Sequence, residues 1–332
     1  MRRIYIRVRT REQLNTVLSA KADQKGPVLQ KGSGAVQPGA GDSLPGSGAV
    51  QPGAGDSLSG SGALLRDVHA LLLDYELAGV LKDRELFGRI TALFRERYLS
   101  LPDVLRQSRV SAVEQTLRSL PEGVGLIVKN PDELGLIQDL DYQGALIADA
   151  FLYAYNSEAI RYYLERFPQM RFLCSDELTD AEQRDMISSL ERILPPEMED
   201  AAPESAYTAP ESADTVPGSA GAAGRFLYKA YGYQPLMITN QCLSRNYSDC
   251  AQKRIAFRDE KGGRFIAVAG CGQCSSTIYN GMCTYMLDKP EEQIGSDILL
   301  DFTIENREET ERILHGEKPG EYTRGHHYRG ID

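Results

Sequence analysis

The sequence predicts an α/β protein folded as a (β/α)8 barrel of the TIM type, complete or one unit short. Two observations point there. Seven short, apolar, β-rich runs (4–8, 69–74, 98–101, 124–129, 145–150, 170–174 and 226–231) alternate with amphipathic stretches. That order builds a parallel sheet with helices outside it. Setting aside two low-complexity tracts leaves roughly 260 of the 332 residues, close to the ~250 of such a barrel. A doubly wound open sheet is the alternative. Against it, Thr10 leads straight into the first helical stretch, with no glycine-rich phosphate turn after the first strand.

Each helical stretch carries its own start signal. Thr10 with Gln13 three residues on opens a stripe of Leu14, Val17 and Leu18. Leu86, Phe87, Ile90, Leu93 and Phe94 form the next stripe. Asn130-Pro131 supplies a cap and a first-turn proline. Asn156 precedes a face of Ala159, Ile160, Tyr163, Leu164 and Phe167, and Thr179 with Glu182 makes a capping box before Ile187, Leu190 and Leu194.

Two tracts stand apart. Residues 32–59 are two copies of a fourteen-residue Gly/Ala/Ser-rich unit, and residues 196–224 are acidic and rich in Pro, Ala and Ser, with Ala-Pro-Glu-Ser-Ala at Ala202 and again at Ala209. Neither holds enough bulky apolar side chains to offset the entropy of ordering. They read as disordered insertions at about 26–62 and 196–224. The chain then divides into a βα barrel over 1–241 and a cysteine-rich region over 242–332 that packs on it.

The formal charge of −10 repels nucleic acid and anionic membrane unless a basic patch intervenes. No apolar run approaches the ~20 residues of a membrane helix, and Met1-Arg-Arg-Ile-Tyr lacks the apolar core of a secretion signal. Cytoplasm is the expected location. There, cysteines point to metal or redox chemistry more than to disulfides.

Five of the six cysteines (Cys242, Cys250, Cys271, Cys274 and Cys283) fall within about forty residues. The first four follow C-x7-C-x20-C-x2-C. A C-x2-C pair places two thiolates within reach of one metal, and two more complete four ligands, a set that suits zinc or a [4Fe–4S] cluster. The competing reading makes them small buried side chains, and Cys283 reads best that way. No serine, cysteine or zinc protease motif occurs. The four histidines are His69, His315, His326 and His327. Asp176 and Glu177, after the 170–174 strand, would sit at the barrel's C-terminal rim, or else act as charges at a helix start.

Several blocks in order resemble the U32 peptidase family, the collagenase-like proteases, in the C-terminal half of its long clostridial-type members. They are Tyr155-Asn-Ser-Glu-Ala, Cys174-Ser-Asp-Glu-Leu, Tyr231-Gly-Tyr-Gln-Pro-Leu-Met before Cys242, Arg258-Asp-Glu-Lys-Gly, Ile278-Tyr-Asn, Asp301-Phe-Thr-Ile-Glu and Tyr322-Thr-Arg-Gly-His. The resemblance spans about residue 100 to the end. It implies a barrel fold, a nominal peptidase label, and kinship with proteins of RNA or ubiquinone-precursor hydroxylation, some of which hold a [4Fe–4S] cluster on four cysteines. It tips the metal on Cys242, Cys250, Cys271 and Cys274 toward [4Fe–4S], with zinc the alternative. The family's Ala-Pro-Ala-Gly opening and Glu-x-Phe signature are absent, which suggests a separated half or a divergent paralogue with a partner subunit of the same family. True proteolysis, or a non-catalytic metal-binding barrel serving assembly, are the competing functions.

A substrate site is expected at the C-terminal rim, formed by Asn156, Glu177, Arg324 and His326. The two cations would bind the carboxylate of a small acid or an RNA phosphate. The competing reading makes Asn156 and Glu177 helix caps and the last loop a solvated tail. Limited proteolysis should cut first within 32–59 and 196–224; resistance of both tracts with cleavage elsewhere would contradict that assignment.

Overall fold

In the computed structural model, which describes residues 2–24, 63–66, 68–194, 221–243, 245, 254–271, 274–295 and 297–329, the first strand sets the pattern for the rest. Strand β1 (Arg3–Val8) alternates Arg3, Tyr5 and Arg7 with Ile4, Ile6 and Val8. The second set packs outward in the large core beneath the helices, and Tyr5 packs inward with Ala70, Leu72, Tyr98, Ile127, Ile147, Leu227 and Leu299. That two-residue alternation turns one strand toward two cores.

The chain continues through α1 (Arg11–Asp23), α2 (Ala63–Arg66), β2 (Val68–Leu73), a 3-10 turn (Tyr75–Lys82), α3 (Arg84–Leu93), β3 (Glu96–Ser100), α4 (Val110–Arg118), β4 (Val124–Val128) and α5 (Pro131–Asp139). Then come β5 (Leu146–Ala148), α6 (Ser157–Arg166), β6 (Met170–Leu173), α7 (Asp180–Ile193) and β7 (Phe226–Thr239). Thr10 and Thr179 form capping boxes, and Asn130 and Asn156 cap α5 and α6, as their sequence positions predict. The tract 26–62 and residues 196–220 lie outside the described residues. The last residues of the second tract belong to the buried 3-10 turn Ala222–Arg225.

After β7 the βα rhythm stops. Antiparallel strands β8 (Arg254–Arg258), β9 (Arg264–Gly270) and β10 (Ser275–Tyr285) follow. Then β11 (Asp297–Asp301), α8 (Arg307–Leu314) and β12 (Tyr322–Thr323) complete the described chain. Strand β11 pairs in parallel with both β1 and β7. With β1 to β7 it closes an eight-stranded parallel barrel, so the barrel reading holds and the open sheet does not. The eighth strand comes from beyond the cysteines, so the barrel draws on both sides of residue 241.

Strand β7 serves two sheets. Its first half lies between β6 and β11, and its second half runs on as an arm paired with β10. The two meet at Gly232, where φ is 150° and a Cβ would stand 2.8 Å from the Asp301 carbonyl oxygen. Only glycine lets β11 approach there.

The barrel interior is layered, with an apolar middle and a charged layer at each end. At the N-terminal end Arg3 chelates Asp297, with Nη2 2.7 Å from Oδ2, and Arg171 binds both Asp297 and the Tyr5 hydroxyl. Glu96 accepts from the hydroxyls of Tyr5 and Tyr98 at 2.8 and 2.9 Å and contacts His69 Nε2 at 2.9 Å. Burial pushes the Glu96 carboxyl up, but His69, Arg171 and the Tyr5 hydroxyl outweigh it and hold the carboxyl at about 2. His69 is thus committed to a structural contact with Glu96.

Removing one partner of a buried pair strands the other, at a cost of about 3–5 kcal/mol. Arg171→Met should therefore lower stability on that scale in urea unfolding, with Arg171→Met/Asp297→Leu less damaging than the single change. A loss under about 1 kcal/mol, the scale of a surface pair, would contradict this role for the N-terminal layer.

Candidate functional site

The C-terminal ends of the barrel strands gather a second charged layer, one residue type at a time. Arg7 comes from β1, Lys129 and Asp149 follow β4 and β5, Asp176 and Glu177 follow β6, Lys229 lies within β7, and Asp301 ends β11. Arg7 bridges Asp149 at 2.7 Å and Asp301 at 3.3 Å. Arg9 lies 3.5 Å from Asp74 and 3.9 Å from Asp103. Lys129 pairs with Asp103, and Lys229 with Asp176.

These pairs set protonation. Burial pushes the Asp103 carboxyl up, but Lys129 and Arg9 outweigh it and hold it well below the usual carboxylate range. Asp149 is likewise held down, chiefly by Arg7 against the effect of burial. Glu133 behaves oppositely. Burial raises it to about 8 although its Oε2 accepts from the Lys129 backbone N–H at 2.7 Å, and its Oε1 has no hydrogen-bond partner.

The arm leans over this layer. Thr277 of β10 donates to Asp103 at 3.0 Å, and the Tyr279 ring lies 5.6 Å from the Arg9 guanidinium. What remains of the mouth is a cleft of about 50 Å3 whose walls include Arg7, Arg9, Glu177, Lys229 and Asp301, with Tyr155 and Pro235 beside them. That volume admits a few waters. Within these wall residues Arg7 Nε, Arg9 Nε and Asp301 Oδ1 are buried without hydrogen-bond partners.

Among the four residues expected to form the substrate site, the structure places Glu177 on the cleft wall. Asn156 directly follows the cleft-wall Tyr155 but serves the helix: its side chain accepts from Ala159 N at 2.8 Å. Arg324 and His326 are not brought to the cleft. Arg324 is held by Asp288 at 2.6 Å and the Tyr285 carbonyl at 2.6 Å, and His326 Nδ1 contacts the Arg329 carbonyl at 3.2 Å. Their neighbour His327 lies on the outer wall, where Nδ1 meets Asp180 at 2.7 Å and the Tyr228 hydroxyl at 3.0 Å. The cationic mouth residues are Arg7, Arg9 and Lys229 instead. Their signal was the two-residue spacing of Arg3, Arg7 and Arg9 with Tyr5, and a lysine inside an apolar strand.

The cysteines occupy the far end of the arm. The β9–β10 hairpin pairs Gly270 with Ser275, which puts Cys271 and Cys274 in one turn. Ser276 pairs with Thr239, so Cys242 lies just past the end of β7 beside that turn. Cys274 adopts φ 52°, a left-handed conformation unusual for a side chain of this size. Arg106, from the loop after β3, donates to the carbonyls of Asn240 and Cys274 at 2.8 and 3.2 Å, tying this end to the mouth. Cys271 and Cys274 are exposed and Cys242 is half-buried. Cys250 lies outside the described residues, and among those no three His, Cys, Asp or Glu side chains stand close enough to hold a metal. Cys174 and Cys283 are buried elsewhere.

No family model, curated protein or solved structure matches this chain.

The pH response of Glu133 checks the electrostatics beside the mouth. A carboxyl near 8 in the folded state and ~4.3 unfolded favours folding while protonated, so its effect on stability worsens as pH rises from about 4 to 8. Glu133→Gln keeps the acceptor for Lys129 N and should gain stability over the parent progressively from pH 5 to pH 8 in urea titrations. A gap that stays constant with pH would refute the assignment.

Proposed function

We propose that this chain is a barrel protein of the U32 type that holds a thiolate-bound metal centre, [4Fe–4S] in preference to zinc, beside a mouth that binds a small acidic substrate. The observation that carries this reading is the placement of Cys271 and Cys274 in one hairpin turn, with Cys242 just past the end of the neighbouring strand and Arg106 tying that end of the arm to the rim of the mouth. The donor set fits in kind: soft thiolates suit an iron–sulfur cluster or zinc, and in this reading Cys250 would supply the fourth sulfur. The resemblance to U32 proteins favours iron–sulfur. Bound there, a cluster would supply one-electron chemistry.

The chain's own residues then bind and orient. Arg7 and Arg9 line the cleft, and guanidinium groups suit the carboxylate or phosphate of a small acid. The net charge of −10 favours such a molecule over an RNA backbone. A ligand larger than the cleft of about 50 Å3 requires the arm to lift, at the expense of contacts such as Thr277 with Asp103, Tyr279 with Arg9 and Arg106 with the Asn240 and Cys274 carbonyls.

Proteolysis finds less support. The one thiol on the cleft wall, Cys174, is pushed well up by burial and by Asp180 and Asp176, the wrong direction for a nucleophile. His69 and His327, engaged by Glu96 and Asp180, offer no base beside it.

Anaerobic purification tests the reading. The expected product is brown, with iron and sulfide in equal amounts, and Cys271→Ser and Cys274→Ser should each lose most of the iron while the far-ultraviolet circular dichroism is unchanged. A colourless protein with one zinc per chain would overturn the iron–sulfur assignment, and anaerobic protein free of both iron and zinc would overturn the centre itself.

A further inference from the structure

A second cavity lies outside the barrel, between the outer face of the arm, α8 and the loop that returns to β12. Its volume is about 290 Å3 and its walls include Tyr231, Tyr233, Cys283, Glu305, Ile313 and Pro319. It is larger than the mouth cleft and close to the lower bound for a small-molecule pocket. The charges on its rim are matched in pairs. Arg264 meets Glu321, Arg312 meets Glu317 at 2.9 Å, and Lys318 meets Asp288 at 2.9 Å. Glu309 is spent on the helix start, accepting from Asn306 N at 2.9 Å.

Glu305 is the exception. It is 4% exposed. Its Oε2 accepts from Thr303 N at 2.6 Å, the Tyr231 side chain supports its charged form, and its Oε1 has no well-formed hydrogen bond. Among the described residues no cation pairs with it. A buried carboxyl without a counter-charge, beside two tyrosine rings and an open volume, has the complement of an organic cation. A primary ammonium brings three N–H donors for the carboxylate and the tyrosine hydroxyls, and its charge is attracted to aromatic faces.

We propose that this cavity is a binding site for a small primary amine, with Glu305 as its counter-ion and Tyr231 and Tyr233 as its walls. The site is separate from the barrel mouth and does not rest on the metal reading.

Without a cation, burial raises the Glu305 carboxyl to about 7. Amine binding then expels that proton: the ammonium keeps its charge, the carboxyl becomes carboxylate, and one proton leaves to solvent. The titratable and charged groups around Glu305 are Asp301 on β11, Tyr231 and Tyr233 on β7, Cys283 on β10, Glu309 on α8, and Arg254 on β8, whose guanidinium is spent on the Ile304 carbonyl at 2.7 Å. Burial pushes Tyr231 and Tyr233 up, and Cys283 to about 12, so these three stay neutral near pH 7.

Calorimetry on the full chain with 2-phenylethylamine and its neutral isostere 2-phenylethanol tests this. The amine should bind at least ~10-fold more tightly than the alcohol, and its affinity should rise about tenfold between pH 6 and pH 8, as one carboxyl titrating near 7 requires. Glu305→Gln should abolish both the preference and the pH dependence. Tyr233→Leu, which leaves the carboxyl in place, should weaken the amine several-fold and serves as the reporter if the glutamine variant does not fold. Equal affinity for amine and alcohol, or amine binding unchanged in either folded variant, would overturn the proposal.

Discussion

Everything else in this molecule depends on the seating of β11 between β7 and β1. It is a strand of five residues, Asp297 to Asp301, with an acid at each end and apolar side chains between. Asp297 is claimed by Arg3 and Arg171 at one end of the barrel, and Asp301 by Arg7 at the other. Because side chains alternate with a period of two, a slip by one residue would turn both carboxylates out of the barrel. The ion pairs therefore fix register as well as neutralise charge. The chain must also loop through the whole arm before this strand arrives, so closure is non-local and expensive in entropy. Strong, geometrically demanding partners at both ends suit that task.

The same seam positions the arm. Strand β7 cannot end where the barrel ends, since its second half is the edge on which β10 builds. Gly232 lets the strand pass close to Asp301 as it leaves. The direction of that exit aims β10 across the mouth and carries the hairpin turn of Cys271 and Cys274 toward Arg106. The position of the thiols is thus a consequence of barrel closure. Outside the barrel, β10, β12 and the tail through His327 fill the place where a helix would follow β7, with Asp180 N donating to the His327 carbonyl at 3.0 Å.

How much of this could be read from the sequence follows from what kind of signal each feature leaves. Caps are local: Thr10, Asn130, Asn156 and Thr179 each satisfy nearby backbone N–H groups, and a few residues suffice to see them. Seven apolar strands were legible for the same reason. Strand β11 was not placed as the eighth, because a short run bracketed by aspartates has no amphipathic helix before it. Glu177 was legible as a rim residue because it follows a recognisable strand. Arg324 and His326 were not, because a charged loop far along the chain carries no mark of the surface on which it docks; Asp288 and the tail's own backbone claimed them. Asn156 read equally well as a cap and as a ligand, and the cap prevailed. Arg7, Arg9 and Lys229 were hidden inside strands, where charge is unexpected unless the barrel interior is polar at its ends.

Rigidity differs sharply across the mouth, and that difference decides how a ligand could enter. The barrel side is locked by buried pairs: Arg7 with Asp149 and Asp301, Lys129 with Asp103, Lys229 with Asp176. Breaking any of them leaves an uncompensated charge in a low dielectric, which is costly. The arm side is held by a neutral hydroxyl from Thr277 and by the Tyr279 ring against Arg9. A single hydrogen bond to a charged group contributes about 1.5–3 kcal/mol, and a cation–π contact about 0.5–2 kcal/mol. Lifting the arm therefore costs less than rearranging the barrel, and an incoming anion that took up Arg9 Nε would replace part of what Tyr279 gave. Lifting would also break the Arg106 contacts to the Asn240 and Cys274 carbonyls, so the cysteine end would travel with the arm. Access to the mouth and the placement of the thiols are thereby mechanically one variable.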